Sequence, residues 1–131
     1  MSTSHELIRT AVARSAILID RKDWDALDTL FTSDATFDYP APLGSHSTVA
    51  SLRQTLQATL QDISTQHALT TQTIELNGAA ASVTTFVTTT IVTNVGTSTN
   101  IGSYDDELVM DSVQGQERWR IAKRVTHNFP Q

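Results

Sequence analysis

Asn77-Gly78 lies between two stretches in which apolar and polar residues alternate, and this pair strongly constrains the fold. Both residues adopt the positive φ angles of a type I′ turn at little cost, so the pair is the strongest two-residue signal for a β-hairpin. Two antiparallel strands are predicted. The first is the alternating stretch from His67 to the turn, and the second runs from about Ala80 to Thr93 after it. The second half of the chain is therefore expected to form a sheet.

Two further strands are predicted near the C-terminus. Apolar and polar residues also alternate from Gly102 to Asp111 and from Arg118 to about Thr126. A turn between these strands is predicted at Gln114-Gly115-Gln116. The segment Val95 to Asn100 predicts a turn or a flexible loop. Period-two alternation divides the last strand into two faces, with Trp119, Ile121 and Val125 on one and Arg118, Arg120 and Arg124 on the other.

The first half of the chain has the pattern of helices. Thr3 and Glu6 form a capping box ahead of apolar residues at helical spacing, which predicts a helix from about residue 4 to 20. Asp23 is a good N-cap for a short second helix from Trp24 to Phe31.

A short strand and a third helix complete this half. Residues Ala35 to Tyr39 alternate as a strand, and the prolines and glycine at 40–44 force a loop after it. Ser45 or Ser47 is expected to cap the third helix, which has a clear apolar stripe and stops near Ser64.

The order of the elements is helix, helix, strand, helix and then four strands joined by turns, which predicts an α+β fold. We expect a strongly curved, mainly antiparallel sheet with three N-terminal helices on one face and a central cavity between them. At 131 residues the chain is expected to form one domain, 1–131.

Composition narrows the class of partner. A formal net charge of -5 argues against binding to nucleic acid or anionic lipid, and a small uncharged or weakly charged molecule fits better. The chain has no cysteine, so a disulfide framework and a thiolate nucleophile are excluded. The N-terminal residues do not resemble a signal peptide and no apolar run is long enough for a membrane helix, so a cytoplasmic protein is expected.

The stretch Leu18 to Trp24 is the most unusual part of the sequence. The predicted first helix ends at Asp20 and is followed by the cations Arg21 and Lys22. The second predicted helix begins after Asp23, which is followed by a tryptophan. On a helical wheel Asp20 lies on the flank of the apolar stripe, so the periodicity leaves its burial open.

The run Ile19-Asp20-Arg21-Lys22-Asp23-Trp24-Asp25-Ala26-Leu27 resembles the opening of SnoaL-like domains in the nuclear transport factor 2-like superfamily. The match continues in the same order over nearly the whole chain, at Thr65-Gln66-His67, at the run from Gly102 to Leu108 and at Trp119-Arg120-Ile121. This superfamily forms a cone-shaped α+β barrel. The scytalone dehydratase-like branch is the most similar.

The resemblance implies three catalytic residues. Members of the branch are similar in having an aspartate before the break, a tyrosine in the first strand and a histidine after Thr-Gln, matched here by Asp20, Tyr39 and His67. Two departures stand out. Ile19 occupies the position of a second tyrosine, and where a second histidine is expected the long strand offers only Thr88, Thr90 and Asn94.

These residue types suit proton transfer. An imidazole exchanges protons near neutral pH, and a carboxylate on its other nitrogen fixes its tautomer and raises its basicity. His67 is expected to move a proton, Asp20 to orient His67, and Tyr39 to bind the oxygen that gains charge. Each also has a plainer interpretation: Asp20 as a partner of nearby cations, His67 as a histidine bonded to backbone, and Tyr39 as core.

Further residues are expected to line the pocket or to lie outside it. The predicted substrate-binding residues are Trp24, Leu69, Phe86, Thr90 and Tyr104. The acidic residues 105–107 cannot converge, because Asp106 faces away from its neighbours, and one of them is expected to pair with an arginine of the last strand. No metal site and no cofactor are expected, and His5, His46 and His127 are interpreted as exposed.

Three functions are consistent with the sequence. The first is a cofactor-independent dehydratase, isomerase or cyclase that acts on a small hydrophobic oxygenated substrate of polyketide or terpenoid type. The second is a non-catalytic small-molecule-binding or dimeric scaffold module, and the third is water activation like that of an epoxide hydrolase. The resemblance also implies a homodimer formed through the outer face of the sheet.

Overall fold

A computed structural model of the protein describes residues 2–130. Within this range, three α-helices and one short 3₁₀ segment accompany six strands. The helices are α1 (Ser4–Asp20), α2 (Trp24–Leu27) and α3 (Val49–Thr59), with the 3₁₀ turn at Asp28–Leu30. The strands are β1 (Phe31–Asp38), β2 (Ser45–His46), β3 (Ser64–Asn77), β4 (Ala80–Thr93), β5 (Gly96–Val113) and β6 (Gln116–Asn128).

All six strands form one sheet in the order β2-β1-β6-β5-β4-β3. Strand β1 runs parallel to β6, and every other neighbouring pair is antiparallel. The predicted hairpin is confirmed, but its two turn residues are Gly78, whose φ is 62°, and Ala79, because Asn77 is the last residue of β3 and pairs with Ala80. The predicted α+β fold with a mainly antiparallel sheet is also confirmed.

The core lies between the helices and the concave face of the sheet. Helix α1 begins at the predicted cap, where the Thr3 side chain accepts a hydrogen bond from the Glu6 backbone N–H. Its apolar stripe buries Ile8 and Val12 completely, and Ile121 of β6 is equally buried in the same cluster. Burial of each such side chain stabilises the fold by about 1.5–3 kcal/mol. Within residues 2–130, no helix has the length and apolarity needed to cross a bilayer.

Several predicted boundaries are wrong. The third helix starts at Val49 and is capped by Thr48, because Ser45 and His46 pair with β1 as a short strand instead. The second helix ends at Leu27. Phe31, which was predicted to be its last residue, is the first residue of β1. The predicted loop at 95–100 belongs mostly to β5, which begins at Gly96 and pairs with β4 from its first residue.

A β-bulge in β6 corrects the predicted faces of the last strand. Glu107 pairs with Lys123 and Leu108 pairs with Ile121, so Ala122 is an extra residue. The extra residue reverses the alternation that follows it. Arg124 therefore lies on the buried face with Trp119 and Ile121, and the prediction that it faces away from them is wrong.

Arg124 is buried as an ion pair with Asp106. Its guanidinium donates from Nε to Asp106 Oδ1 at 2.7 Å and from Nη2 to Oδ2 at 2.9 Å. A further bond at 3.1 Å reaches Ser15 of α1, so the pair ties the helix to the sheet. Removing one partner of a buried pair typically costs about 3–5 kcal/mol, because the other charge is then left uncompensated. The prediction that one acidic residue of 105–107 pairs with a last-strand arginine is confirmed.

Candidate active site

Helix α1 ends in a way that directs the Asp20 side chain toward β3. The backbone N–H of Lys22 bonds the Ile19 carbonyl and that of Asp23 bonds the Leu18 carbonyl, while Lys22 adopts a positive φ of 56°. This is the hydrogen-bond pattern of a Schellman cap, with lysine where glycine is usual. The Lys22 Nζ donates to the Leu60 carbonyl at 2.6 Å, which anchors the turn to the end of α3.

Asp20 and His67 are in direct contact. Asp20 Oδ1 lies 2.6 Å from His67 Nδ1, and Oδ2 accepts a bond of 2.8 Å from the His67 backbone N–H. The Thr65 hydroxyl donates to Oδ1 at 2.8 Å. Three donors from two residues of β3 thus fix one carboxylate, and the side chains of Asp20 and His67 are only 19% and 15% exposed.

These contacts determine the ionisation of Asp20. Burial by itself raises the pKa of a carboxyl group, but the bonds from His67 and Thr65 together outweigh it, so the pKa of Asp20 is lowered. The carboxylate is therefore ionised at neutral pH. Because an ionised carboxylate only accepts hydrogen bonds, the proton between Asp20 and His67 belongs to Nδ1. In the neutral imidazole, Nε2 is then free of a proton.

His67 forms part of the wall of a cavity of about 290 Å³ between the helices and the sheet. Apolar side chains dominate its surface; they include Ile19, Leu56, Leu60, Ile63, Val87 and Ile91. Residues with polar side chains make up half of the lining but contribute the smaller share of its surface; they include Thr65, His67, Tyr39, Thr89, Tyr104 and Thr126. A cavity with a mainly apolar surface and some polar groups is typical of sites that bind small molecules.

A second polar region of the cavity contains Tyr39 and Tyr104. The Arg124 guanidinium lies 4.1 Å from the centre of the Tyr104 ring, as a cation–π contact. Burial raises the pKa of Tyr39, while Arg124 opposes that shift. Burial raises the pKa of Tyr104 as well, so both phenols keep their protons near neutral pH and can donate them in hydrogen bonds.

The structure supports only part of the predicted pocket lining. Tyr104 lines the cavity. Leu69 shares a face with His67 but packs into the hydrophobic core. Trp24 lies in a surface groove beside Lys22 and Arg53, and the prediction that it lines the pocket is wrong.

Phe86 and Thr90 are corrected for a common reason. In β4 the odd-numbered residues Val87, Thr89 and Ile91 face the cavity, so even-numbered residues lie on the outer face of the sheet. Phe86 is 38% exposed there and its ring packs edge-on against Phe129. None of Thr88, Thr90 and Asn94, the residues considered for the position of a second histidine, lines the cavity, whereas Thr89 does.

The cavity also contains residues whose role the sequence did not reveal. Thr65 appeared only within the family match, yet its hydroxyl bonds Asp20. Thr126 and the Arg124 guanidinium beside Tyr104 reach this region only because of the bulge at Ala122. No motif marks that bulge, so the alternation gave no signal for either residue.

Several other charged or polar groups within residues 2–130 are bonded to neighbouring residues. Asp105 accepts bonds from Thr84 and His127, and Glu107 accepts one from Ser82, all on the outer face. His46 is half-buried, bonded to Ser51 and to the Leu43 carbonyl, so the interpretation of it as exposed is wrong. Within the described part of the chain, no three acidic or histidine side chains cluster as metal ligands.

The fold is that of nuclear transport factor 2-like proteins, and the family follows from the sequence. The model of the SnoaL-like domain family matches residues 1–125. The chain belongs to this family. No curated protein sequence matches the chain significantly.

Solved structures with the same fold come from several bacteria. A protein of unknown function from Mycobacterium tuberculosis is 25% identical, with a TM-score of 0.79 over 92% of this chain and 69% of that one. A provisionally assigned scytalone dehydratase from Novosphingobium aromaticivorans is 20% identical, with a TM-score of 0.81 over 95% and 83% of the two chains. An NTF2-like protein with a cystatin-like fold from the same organism is 19% identical, with a TM-score of 0.79 over 96% and 82%.

Asp20→Asn is expected to destabilise the protein at neutral pH by about 1.5–3 kcal/mol, since charge-assisted hydrogen bonds are lost. The pKa of Asp20 is lowered on folding, so its stabilising contribution is present above the unfolded-state value near 3.8 and is lost as the pH falls through the folded-state value. The difference between variant and parent should therefore shrink in acid. Urea unfolding at pH 7 and about pH 3 measures it.

Asp62→Asn serves as the control, because Asp62 is an exposed carboxylate. An Asp20→Asn deficit of the same size at both pH values would show that the ionised carboxylate is not what stabilises this region.

Proposed function

We propose that this protein is a cofactor-independent isomerase, dehydratase or cyclase that uses acid–base catalysis on a small hydrophobic oxygenated substrate. The observation that carries the proposal is the contact of 2.6 Å between Asp20 Oδ1 and His67 Nδ1 in the wall of a mostly apolar cavity. The family match is consistent with secondary metabolism of polyketide or terpenoid type as the setting.

His67 is the proposed base. With Nδ1–H donated to Asp20, the lone pair of Nε2 is available to remove a proton from the carbon next to a substrate carbonyl. The imidazolium that forms is stabilised by the Asp20 carboxylate, which stays ionised because its pKa is lowered. Asp20 thereby both orients the ring and compensates its charge.

Tyr39 is the proposed hydrogen-bond donor to the substrate carbonyl oxygen. Burial raises the pKa of the phenol, so it remains protonated and donates a bond that strengthens as the oxygen becomes an enolate. The buried Arg124 near the tyrosine adds positive potential on the same side. Negative charge that develops on the oxygen is therefore placed against donors and a cation rather than against water.

The same groups suffice for isomerisation or dehydration. In isomerisation, the imidazolium returns its proton to another carbon of the enolate, and no atom is gained or lost. In dehydration, the enolate re-forms the carbonyl as the bond to a hydroxyl group on the β-carbon breaks, and that oxygen takes the imidazolium proton and leaves as water. Both reactions restore the neutral histidine.

The size and character of the cavity define the substrate class. A volume of about 290 Å³ is at the lower end of the range of roughly 300–1,000 Å³ typical of ligand sites. One or two fused rings with one or two oxygens fit such a space. An anionic substrate is disfavoured, because the Asp20 carboxylate is bonded to His67 of the cavity wall and the chain is acidic.

A non-catalytic binding module is the second candidate. It is motivated by the absence of a histidine from β4, whose cavity-lining residues are Val87, Thr89 and Ile91. A separation of Asp20 and His67, or a cavity filled by side chains, would have favoured this candidate, and neither is observed. Epoxide hydrolysis is less compatible, since both Asp106 oxygens are bonded to Arg124 and the carboxylate is sealed from the cavity.

The proposed chemistry can be tested without the natural substrate. α-Tetralone, a bicyclic ketone of suitable size, is incubated with the protein in D₂O, and loss of its α-proton NMR signal reports proton abstraction. The protein should accelerate this exchange above the buffer rate. His67→Gln should reduce the acceleration by about 10²–10⁴-fold and Tyr39→Phe by about 10²–10³-fold.

His5→Gln is the matched control, since His5 is exposed in the first turn of α1 and does not line the cavity. It should exchange the probe at the parental rate. If the parent binds α-tetralone, as shown by broadening or shifts of the ligand signals, but exchanges it no faster than buffer, the binding module becomes the better account.

We also propose that the chain forms a homodimer through the outer face of the sheet. Phe86 and Phe129 are 38% and 39% exposed there and pack against each other, which leaves an apolar surface in contact with water. Multi-angle light scattering at micromolar concentration should give twice the monomer mass, and Phe86→Ser should shift the equilibrium toward monomer. A monomer for the parent protein would contradict this.

A further inference from the structure

The Tyr104 hydroxyl is a polar group of the cavity wall that the fold itself does not use. The residue is only 5% exposed, and it lines the cavity. Within residues 2–130 no group makes a hydrogen bond to its Oη, and this oxygen is not one of the unpartnered atoms that are sealed from solvent. The hydroxyl is therefore open to the cavity. Buried polar groups are nearly always paired, so an open phenol in a cavity wall points to a ligand.

The polar side chains beside Tyr104 have partners elsewhere. In the sheet, Tyr104 pairs with Thr85 of β4 on one side and with Thr126 of β6 on the other. Thr85 Oγ1 accepts a bond of 3.0 Å from Gln72 Nε2. The Thr126 hydroxyl is bonded to Tyr39. Because a tyrosine side chain is longer than a threonine, the Tyr104 hydroxyl extends beyond this row of the sheet, toward the cavity.

One guanidinium group positions both tyrosines. Arg124 lies 4.1 Å from the centre of the Tyr104 ring, and it is also hydrogen-bonded to the Tyr39 hydroxyl. Two bonds to Asp106 hold the guanidinium in place. A cation against the ring face draws electron density from the phenol, which makes its hydroxyl a stronger donor. Burial, and to a smaller extent the Asp20 charge, raise the pKa of Tyr104, so the phenol also lies within electrostatic range of Asp20.

We propose that Tyr104 is a further catalytic residue, whose phenol donates a hydrogen bond to the same substrate carbonyl oxygen as Tyr39. The catalytic role rests on the proposed function, whereas the recognition of a carbonyl ligand does not. A carbonyl oxygen has two lone pairs, so it accepts from both phenols at once. As His67 removes the α-proton, negative charge moves to that oxygen and both bonds strengthen, while each phenol keeps its own proton.

This assignment predicts that stability and ligand recognition respond differently to one change. Tyr104→Phe keeps the ring against Arg124 and removes only the hydroxyl. Because that hydroxyl has no partner in the fold, the melting temperature of the free protein should stay the same or rise. A lower melting temperature would show that the hydroxyl serves the fold, and it would overturn the assignment.

The binding experiment compares α-tetralone with tetralin, which lacks the carbonyl oxygen, by NMR titration. Tyr104→Phe should weaken α-tetralone binding by about threefold to tenfold and leave tetralin binding unchanged. With α-tetralone labelled with ¹³C at the carbonyl, the bound signal should move upfield in the variant, as one donor is lost. Thr90→Val, which removes a hydroxyl from the outer face of β4, should match the parent.

The exchange of α-protons in D₂O separates catalysis from binding. At saturating α-tetralone, Tyr104→Phe should lower the exchange rate by about 10²–10³-fold, because the missing bond is strongest when the oxygen carries the enolate charge. Weaker binding with an unchanged saturated rate would make Tyr104 a binding residue only, and it would overturn the catalytic role.

Equal weakening of both probes, no change for either, or a carbonyl signal that Tyr104→Phe does not move would overturn the assignment as a whole. Failure of the proposed function gives a different pattern. In that case the parent shows no α-proton exchange, whereas the selective loss of α-tetralone binding and the shift of the carbonyl signal in Tyr104→Phe persist.

Discussion

The Asp20 carboxylate is the group on which the candidate site depends. It stands at the last residue of α1 and accepts three hydrogen bonds from Thr65 and His67 of β3. One of these comes from the His67 backbone, so the carboxylate fixes the position of the strand as well as the direction of the imidazole. The Asp20 carboxylate therefore joins a helix end, a strand and an imidazole side chain, and its lowered pKa keeps it charged.

The opposite side of the cavity is organised by a second buried charge. Arg124 pairs with Asp106, bonds Ser15 of α1 and contacts the ring of Tyr104. Since the guanidinium is held from several directions, the tyrosines beside it have a fixed environment with positive potential. In the proposed enolate chemistry, the base His67 lies on β3 with its counter-ion Asp20 at the end of α1, and the hydroxyls that would bind the oxygen lie near β6.

The sequence was informative where a signal depends on residue type and spacing. The fold was predicted from the break at Asp20 to Trp24, the Asn77-Gly78 pair and the histidine after Thr65-Gln66. The same motifs predicted that Asp20 and His67 act together, and the two side chains are in contact. Side-chain facing was harder to predict. Threonines occupy both faces of β4, so alternation did not show whether odd or even positions line the cavity, and Phe86 and Thr90 were assigned to the wrong face.

Arg124 and Thr126 escaped prediction for a related reason. An unmarked bulge at Ala122 moves every later residue of β6 to the other face, and a one-residue shift of this kind cannot be read from hydrophobic pattern alone.

The protonation state of His67 tests the central claim most directly. Long-range ¹H–¹⁵N NMR correlations of the imidazole distinguish a protonated from an unprotonated ring nitrogen. In the neutral ring the account predicts a protonated Nδ1 facing Asp20 and an unprotonated Nε2. The opposite tautomer, with the proton on Nε2, would leave His67 unable to act as the base and would contradict the account.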